Sequence, residues 1–270
     1  MDSFKQNAVV FDCAGTLVEM YRVTKDLETG KIILDADNLK IVSDSLYRGL
    51  IVLDAPLEKV KEQPPDKILS DFLRGERIPF GIAFASKDFK AGDISKVLMN
   101  DKTEMKHFHE TNREAVSYFD DIIYEVFGFV ADSEKNKVTH AMSTGGKLFS
   151  NAKSVVAAAL ENCDVFIASG DDYGNLYRVA DKLGILRENV VGMCHDKKKE
   201  DIILDLQNHY QKVIMIGDGI NDMPALEAAD LGILISRYNY NTPESLKEVA
   251  DFIVDDLGEC TDILNNYILE

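Results

Sequence analysis

Apolar positions in this chain fall into two patterns. The first consists of short continuous runs separated by helical spacing: Ala8–Phe11 ending at Asp12, then Val165–Ala168, Val190–Gly192, Val213–Ile216 and Leu231–Ile235. Such runs predict strands buried on both faces. Helices are predicted between them over Ala152–Leu160, Tyr173–Leu183 and Lys199–Asn208, with another from about Pro243 before the apolar stretch Phe252–Val254. Five strands alternating with helices predict an α/β fold, a doubly wound, Rossmann-like parallel sheet.

The second pattern occupies 21–145. Hairpin-like runs (Met20–Thr24 and Lys31–Leu34 about the turn Glu28–Gly30; Glu125–Val130 and Lys137–Met142 about Asp132–Asn136) accompany a strand at Phe80–Phe84 and amphipathic helices over Asp66–Leu73 and Thr103–Phe119. This reads as an α+β domain inserted after the first strand rather than a continuation of one sheet. The expected organisation is a core of 1–20 and 146–270 with an inserted domain of 21–145.

Charge and composition narrow the class. Net charge is −17, which argues against a phosphate-backbone binder, so no nucleic-acid partner is expected. No apolar run approaches the ~20 residues of a membrane span, and the first residues lack a signal-peptide pattern. The expectation is a cytoplasmic chain with no membrane partner. Cys13, Cys163, Cys194 and Cys260 form no CxxC pair, and the five histidines are scattered, read as surface or helix residues. Neither a disulfide framework nor a His/Cys metal site is expected.

Four segments lie at or just after predicted strand ends, where open α/β sheets place their sites. Asp12-Cys13-Ala14-Gly15-Thr16 puts a carboxylate at a strand tip before a turn-forming glycine. Ser169-Gly170-Asp171-Asp172 offers a hydroxyl and backbone N–H groups suited to a phosphoryl oxygen, although taken without the other segments it reads first as Ser169 or Asp171 capping the next helix. Lys199 precedes Ile202, Ile203 and Leu206 at helical spacing, which turns it toward the sheet, whereas Lys197 reads as solvated. Gly217-Asp218-Gly219-Ile220-Asn221-Asp222, followed by Pro224, is a stiff acidic loop whose carboxylates suit Mg²⁺.

Taken together, these segments resemble the haloacid dehalogenase superfamily of aspartate-nucleophile phosphohydrolases. The stretch GDGINDMPALEAADLGI is similar to the phosphorylation domain of P-type ATPases. The resemblance covers the core and is weak in the insertion, which sits where those families carry a cap or a nucleotide-binding domain. It implies Asp12 as the nucleophile that becomes an aspartyl-phosphate, and Ser169 with the Gly170 N–H as binders of the transferring phosphoryl group. Lys199 would offset charge, and Asp12, the Ala14 carbonyl and Asp218 would hold Mg²⁺. Asp222 would support the metal waters, and Asn221 would orient the loop or touch phosphate. The implied partner is a small phosphorylated molecule or nucleotide.

One position departs from the pattern. Many of these phosphatases carry a second Asp two residues after the nucleophile as general acid and base, and this chain has Ala14. Loss of such a group typically costs ~10²–10⁴-fold. Two further readings follow from it: a phosphonate C–P hydrolase, or a weakly catalytic phosphate- or nucleotide-binding regulator. Without membrane spans, ion pumping by this chain is not expected.

Overall fold

The structure is a computed structural model that describes residues 6–55, 57–194, 196–237 and 242–269. Its strands are β1 (Asn7–Phe11), β2 (Val18–Asp26), β3 (Ile32–Leu34), β4 (Arg48–Leu53), β5 (Phe80–Ala85) and β6 (Tyr124–Asp132). They continue with β7 (Lys137–Leu148), β8 (Cys163–Ala168), β9 (Val190–Val191), β10 (Lys212–Gly217), β11 (Leu231–Ile235) and β12 (Phe252–Val254). The chain divides into two compact units, Met1–Glu19 with Leu148–Glu270, and Met20–Lys147.

The first unit holds a parallel sheet in the order β12-β11-β10-β1-β8-β9. It has six strands where the sequence predicted five. Phe252–Val254 pairs with Ile233–Ile235 as an outer strand, and its exposed Phe252 and Ile253 blur the apolar signal of a buried strand. Ala8, Val10, Val213, Met215 and Leu234 pack beneath Ile203 and Leu206 of helix Asp196–Leu206 and Leu226 of helix Met223–Ala228. Val9, Phe11, Ile214 and Ile216 are as fully buried on the opposite face, so the sheet is covered on both sides. This is the α/β, doubly wound arrangement that the apolar runs predicted.

Element ends differ from the sequence reading. The helix expected at Lys199–Asn208 begins at Asp196, which brings the lysine run inside its first turns, and ends at Leu206. A C-terminal helix, Cys260–Leu269, was not foreseen.

The second unit is an antiparallel sheet in the order β3-β2-β7-β6-β4-β5, with helices over Leu69–Gly75, Ala91–Asn100 and Lys106–Ser117. Phe72, Val97, Met105, Phe108 and Phe129 form its core. Both predicted hairpins are present, with Gly30 and Asn136 at positive φ in their turns. Strand β4 and helix Ala91–Asn100 were not read from sequence. The helix expected from Asp66 starts only at Leu69, and the one expected from Thr103 starts at Lys106, because Ile68 and Glu104 instead bridge each other in extended conformation. His107 and His109 lie on a helix, but His140 is buried in β7, contrary to the expectation of surface or helix placement. His195 and the first five residues, to which the signal-peptide reading applied, lie outside the described residues. No helix among the described residues is long and apolar enough to cross a membrane.

Candidate active site

The three central strands β8, β1 and β10 run parallel, so the loops leaving their carboxyl ends share one edge. Asp12 follows β1 directly, and its N–H donates to the Ile216 carbonyl of β10 at 2.9 Å. The chain then turns within one step: the Gly15 N–H donates to the Val18 carbonyl (2.8 Å), and the Leu17 and Val18 N–H groups both reach the Cys13 carbonyl (2.9 and 3.0 Å). Gly15 adopts φ 93°, a left-handed conformation that glycine accepts without a steric penalty. Ala14 is half-buried and contributes only a methyl group two residues after Asp12.

The loop after β10 is held by Asp222. One of its oxygens accepts the N–H groups of Asp218 (3.1 Å) and Gly219 (3.0 Å), which draws the loop around a fully buried carboxylate. Gly217 is required here, since a Cβ on it would lie 2.6 Å from Asp222 Oδ2. Asp218 Oδ1 accepts the Thr16 hydroxyl at 3.2 Å, joining this loop to the one after β1. Asn221 is exposed in the short 3-10 turn Ile220–Asp222 and lies over Gly219.

Lys199 enters from helix Asp196–Leu206. Its Nζ donates to Asp12 Oδ1 at 2.5 Å and to the free oxygen of Asp222 at 2.6 Å, with the lysine side chain fully buried. Asp12, Asp218 and Asp222 bring carboxylate oxygens within 4.8 Å of one another. One ammonium cannot neutralise three such groups. Burial, and then the charge of Asp222, hold the Asp12 carboxyl well above its usual range despite Lys199. Burial and Asp222 likewise push Asp218 up to about 7, against the opposing pull of Arg237. Burial alone would lower the Lys199 ammonium, but Asp12 and Asp222 more than offset it and hold it above its ordinary value. The surplus negative charge, all on oxygen, is a donor set suited to a hard divalent cation.

Ser169 follows β8 and is buried, with its N–H donating to the Val191 carbonyl at 3.1 Å. Its hydroxyl donates to Asp171 Oδ2 at 2.7 Å. The capping alternative fails: helix Tyr173–Leu183 is capped by Asp172, which accepts the Asn175 N–H at 3.0 Å. Neither Ser169 nor Asp171 is therefore used as a helix cap. Gly170 is exposed beside them. Lys197 is exposed, and Lys198 turns back to the Gly192 carbonyl at 3.3 Å.

Two participants were not read from sequence. Thr16 is the donor to Asp218, and its only signal was its place in the first segment. Arg237, just beyond β11, sends its guanidinium to the carbonyls of Gly15 and Thr16, the latter at 3.4 Å. The same group lies 3.7 Å from the centroid of the Phe149 ring.

A model of the haloacid dehalogenase-like hydrolases matches residues 6–230. A soluble P-type ATPase-like phosphatase of Methanocaldococcus jannaschii is 31% identical over 263 residues, covering 97% of this chain and 94% of that protein. A probable copper-transporting P-type ATPase B of Staphylococcus epidermidis is 25% identical over 84% of this chain, which spans only 32% of that transporter. Among solved structures, a zinc-transporting PIB-type ATPase in its E2.Pi state superimposes with a TM-score of 0.46 at 17% identity, over 98% of this chain and 42% of the other.

Proposed function

The chain belongs to the haloacid dehalogenase-like hydrolases, and from that membership we propose that it is a Mg²⁺-dependent phosphohydrolase acting through an aspartyl-phosphate on Asp12. The observation that carries this reading is the position of Lys199 between Asp12 and Asp222, with Asp218 completing the acidic group. A phosphatase name on a relative of nearly the same length supports it. The transport activity of the longer P-type relatives is not carried over, since this chain spans about a third of their length.

In this reading a carboxylate oxygen of Asp12 attacks phosphorus and the P–O bond to the leaving group breaks. Water then attacks the same phosphorus, releasing inorganic phosphate and restoring the carboxylate. Ser169 holds the transferring phosphoryl group together with the Gly170 N–H, exchanging its present acceptor, Asp171 Oδ2, for a phosphoryl oxygen. Lys199 opposes the charge that develops on that group while keeping Asp12 aimed. Asp12, the Ala14 carbonyl and Asp218 would hold Mg²⁺, with Asp222 behind them; when bound, it neutralises charge between nucleophile and phosphate. Asn221 orients the loop over Gly219. Because Ala14 cannot transfer a proton, either another group supplies it or breakdown of the phosphoenzyme is slow. The substrate is a small phosphorylated molecule or nucleotide chosen by the inserted unit, acting as a cap. Four buried cysteines, none of them in a disulfide, fit a reducing compartment, the cytoplasm.

The test is phosphate release over a panel of phosphorylated metabolites and nucleotides with Mg²⁺, run beside Asp12→Asn. Wild type is expected to release phosphate and the variant none. Equal release by both overturns the mechanism.

A further inference from the structure

Arg237 occupies a position that the proposed chemistry does not yet use. Its base is fixed: the preceding Ser236 donates its N–H to the Val254 carbonyl at 2.7 Å, and its hydroxyl lies 2.7 Å from Thr242 Oγ1. From there the guanidinium spans to two consecutive carbonyls, Gly15 and Thr16, while its face packs on Phe149. Phe149 is tied to the same turn through its own N–H, which donates to the Leu17 carbonyl at 3.0 Å. The turn is thus gripped at three consecutive residues, just past Asp12.

What is gripped matters. Gly15 has no room for a side chain against Asp218, and Thr16 donates to Asp218 at 3.2 Å. The direction of the Gly15–Thr16 peptides therefore sets how the loop after β1 meets the loop after β10. Only arginine combines a planar fork of donors with a flat face that stacks on an aromatic ring. Lysine offers the charge without the fork.

We propose that Arg237 is a positioning residue for the nucleophile turn, holding Gly15 and Thr16 so that Asp12 and Asp218 keep their mutual placement. The proposal rests on the phosphohydrolase reading for its catalytic consequence. The clamp itself is a property of the protein alone.

Two readouts separate these. In Arg237→Met, amide hydrogen exchange at Gly15, Leu17 and Val18 is expected to accelerate by about 10-fold or more, while amides of β8 and β10 keep their protection. With a small aryl phosphate and Mg²⁺, kcat is expected to fall by about 10- to 100-fold with KM changed far less, because misplacement of the attacking group weakens the chemical step. Arg237→Lys is expected to restore only part of that loss. Unchanged exchange at the three amides in folded Arg237→Met overturns the clamp, whatever happens to turnover. Should that variant fail to fold, Phe149→Leu removes the stacked ring and leaves the arginine in place. A local rise in exchange at the same amides supports the clamp, and its absence in both Phe149→Leu and Arg237→Lys overturns it. A wild-type protein without turnover counts against the phosphohydrolase reading, and the exchange result still decides the clamp.

Discussion

Gly15 faces the carboxylate of Asp218 so closely that a Cβ built on it would lie 2.6 Å from Asp218 Cγ and 2.8 Å from Oδ1. The backbone there also has φ 93°. Gly15→Ala therefore combines left-handed strain, about 1–2 kcal/mol, with forced displacement of the acidic loop. It should lower stability by at least that amount in urea unfolding and reduce Mg²⁺-dependent turnover. A variant with wild-type stability and turnover would show that the turn relaxes freely.

Lys199→Met should be more costly in the metal-free protein. The lysine is the partner of two buried carboxylates, and removing one side of such a cluster leaves uncompensated charge, typically worth about 3–5 kcal/mol. Urea denaturation without metal checks the stability. Phosphate release should be lost even where Mg²⁺ restores the fold.

Asp218 gives a signed pH effect. Its carboxyl titrates near 7 in the folded chain, raised by burial and by Asp222, against an ordinary 3.8. Between those values the folded state holds a proton that the unfolded state has released. Its contribution to stability is full below about pH 4, is lost as pH rises toward 7, and is flat above. Relative to Asp218→Asn, metal-free wild type should match better at pH 5 and fall behind at pH 8. Added Mg²⁺ should recover stability at pH 8 in wild type more than in the variant. Parallel pH profiles for the two proteins would contradict this.

Ala14→Asp should speed breakdown of the phosphorylated enzyme. The added carboxyl would stand two residues from Asp12, able to protonate a leaving group and later activate water. Its gain should fall short of the ~10²–10⁴-fold of an evolved general acid, since the charged groups around this turn have not been arranged to tune its pKa. Single-turnover trapping follows this directly. Equal decay of phosphoenzyme in both proteins would show that the missing proton carrier does not limit hydrolysis.

The core was legible because central parallel strands are apolar on both faces, and Val213–Ile216 is buried at every position. Lys199 was legible for a related reason: its helical spacing to Ile203 and Leu206, both buried, marks the inward face. Arg237 was not. Its partners are backbone carbonyls far away in sequence, and an arginine after an apolar strand has the same local signature as a solvated one. The role of Asp172 as helix cap was equally hidden, since Ser169, Asp171 and Asp172 all suit a cap by type and only the backbone path selects among them. In the inserted unit, β4 was not read because it opens on Arg48-Gly49, which breaks the apolar pattern, though it sits between β5 and β6.

The pairing of β1 has a consequence for synthesis. Its neighbours, β8 and β10, emerge about 150 and about 200 residues after it, so at roughly 5–20 residues per second the first strand waits on the order of 10–40 s for both. Throughout that interval Ala8–Phe11, wholly apolar, lacks the partners that bury it in the finished sheet. The unit Met20–Lys147, by contrast, is contiguous, and its whole sequence is synthesised before β8. A nascent chain halted just after Lys147 should therefore carry Asp12 at the end of an unpaired, aggregation-prone strand, and chaperone capture of such a stalled chain should depend on Ala8–Phe11.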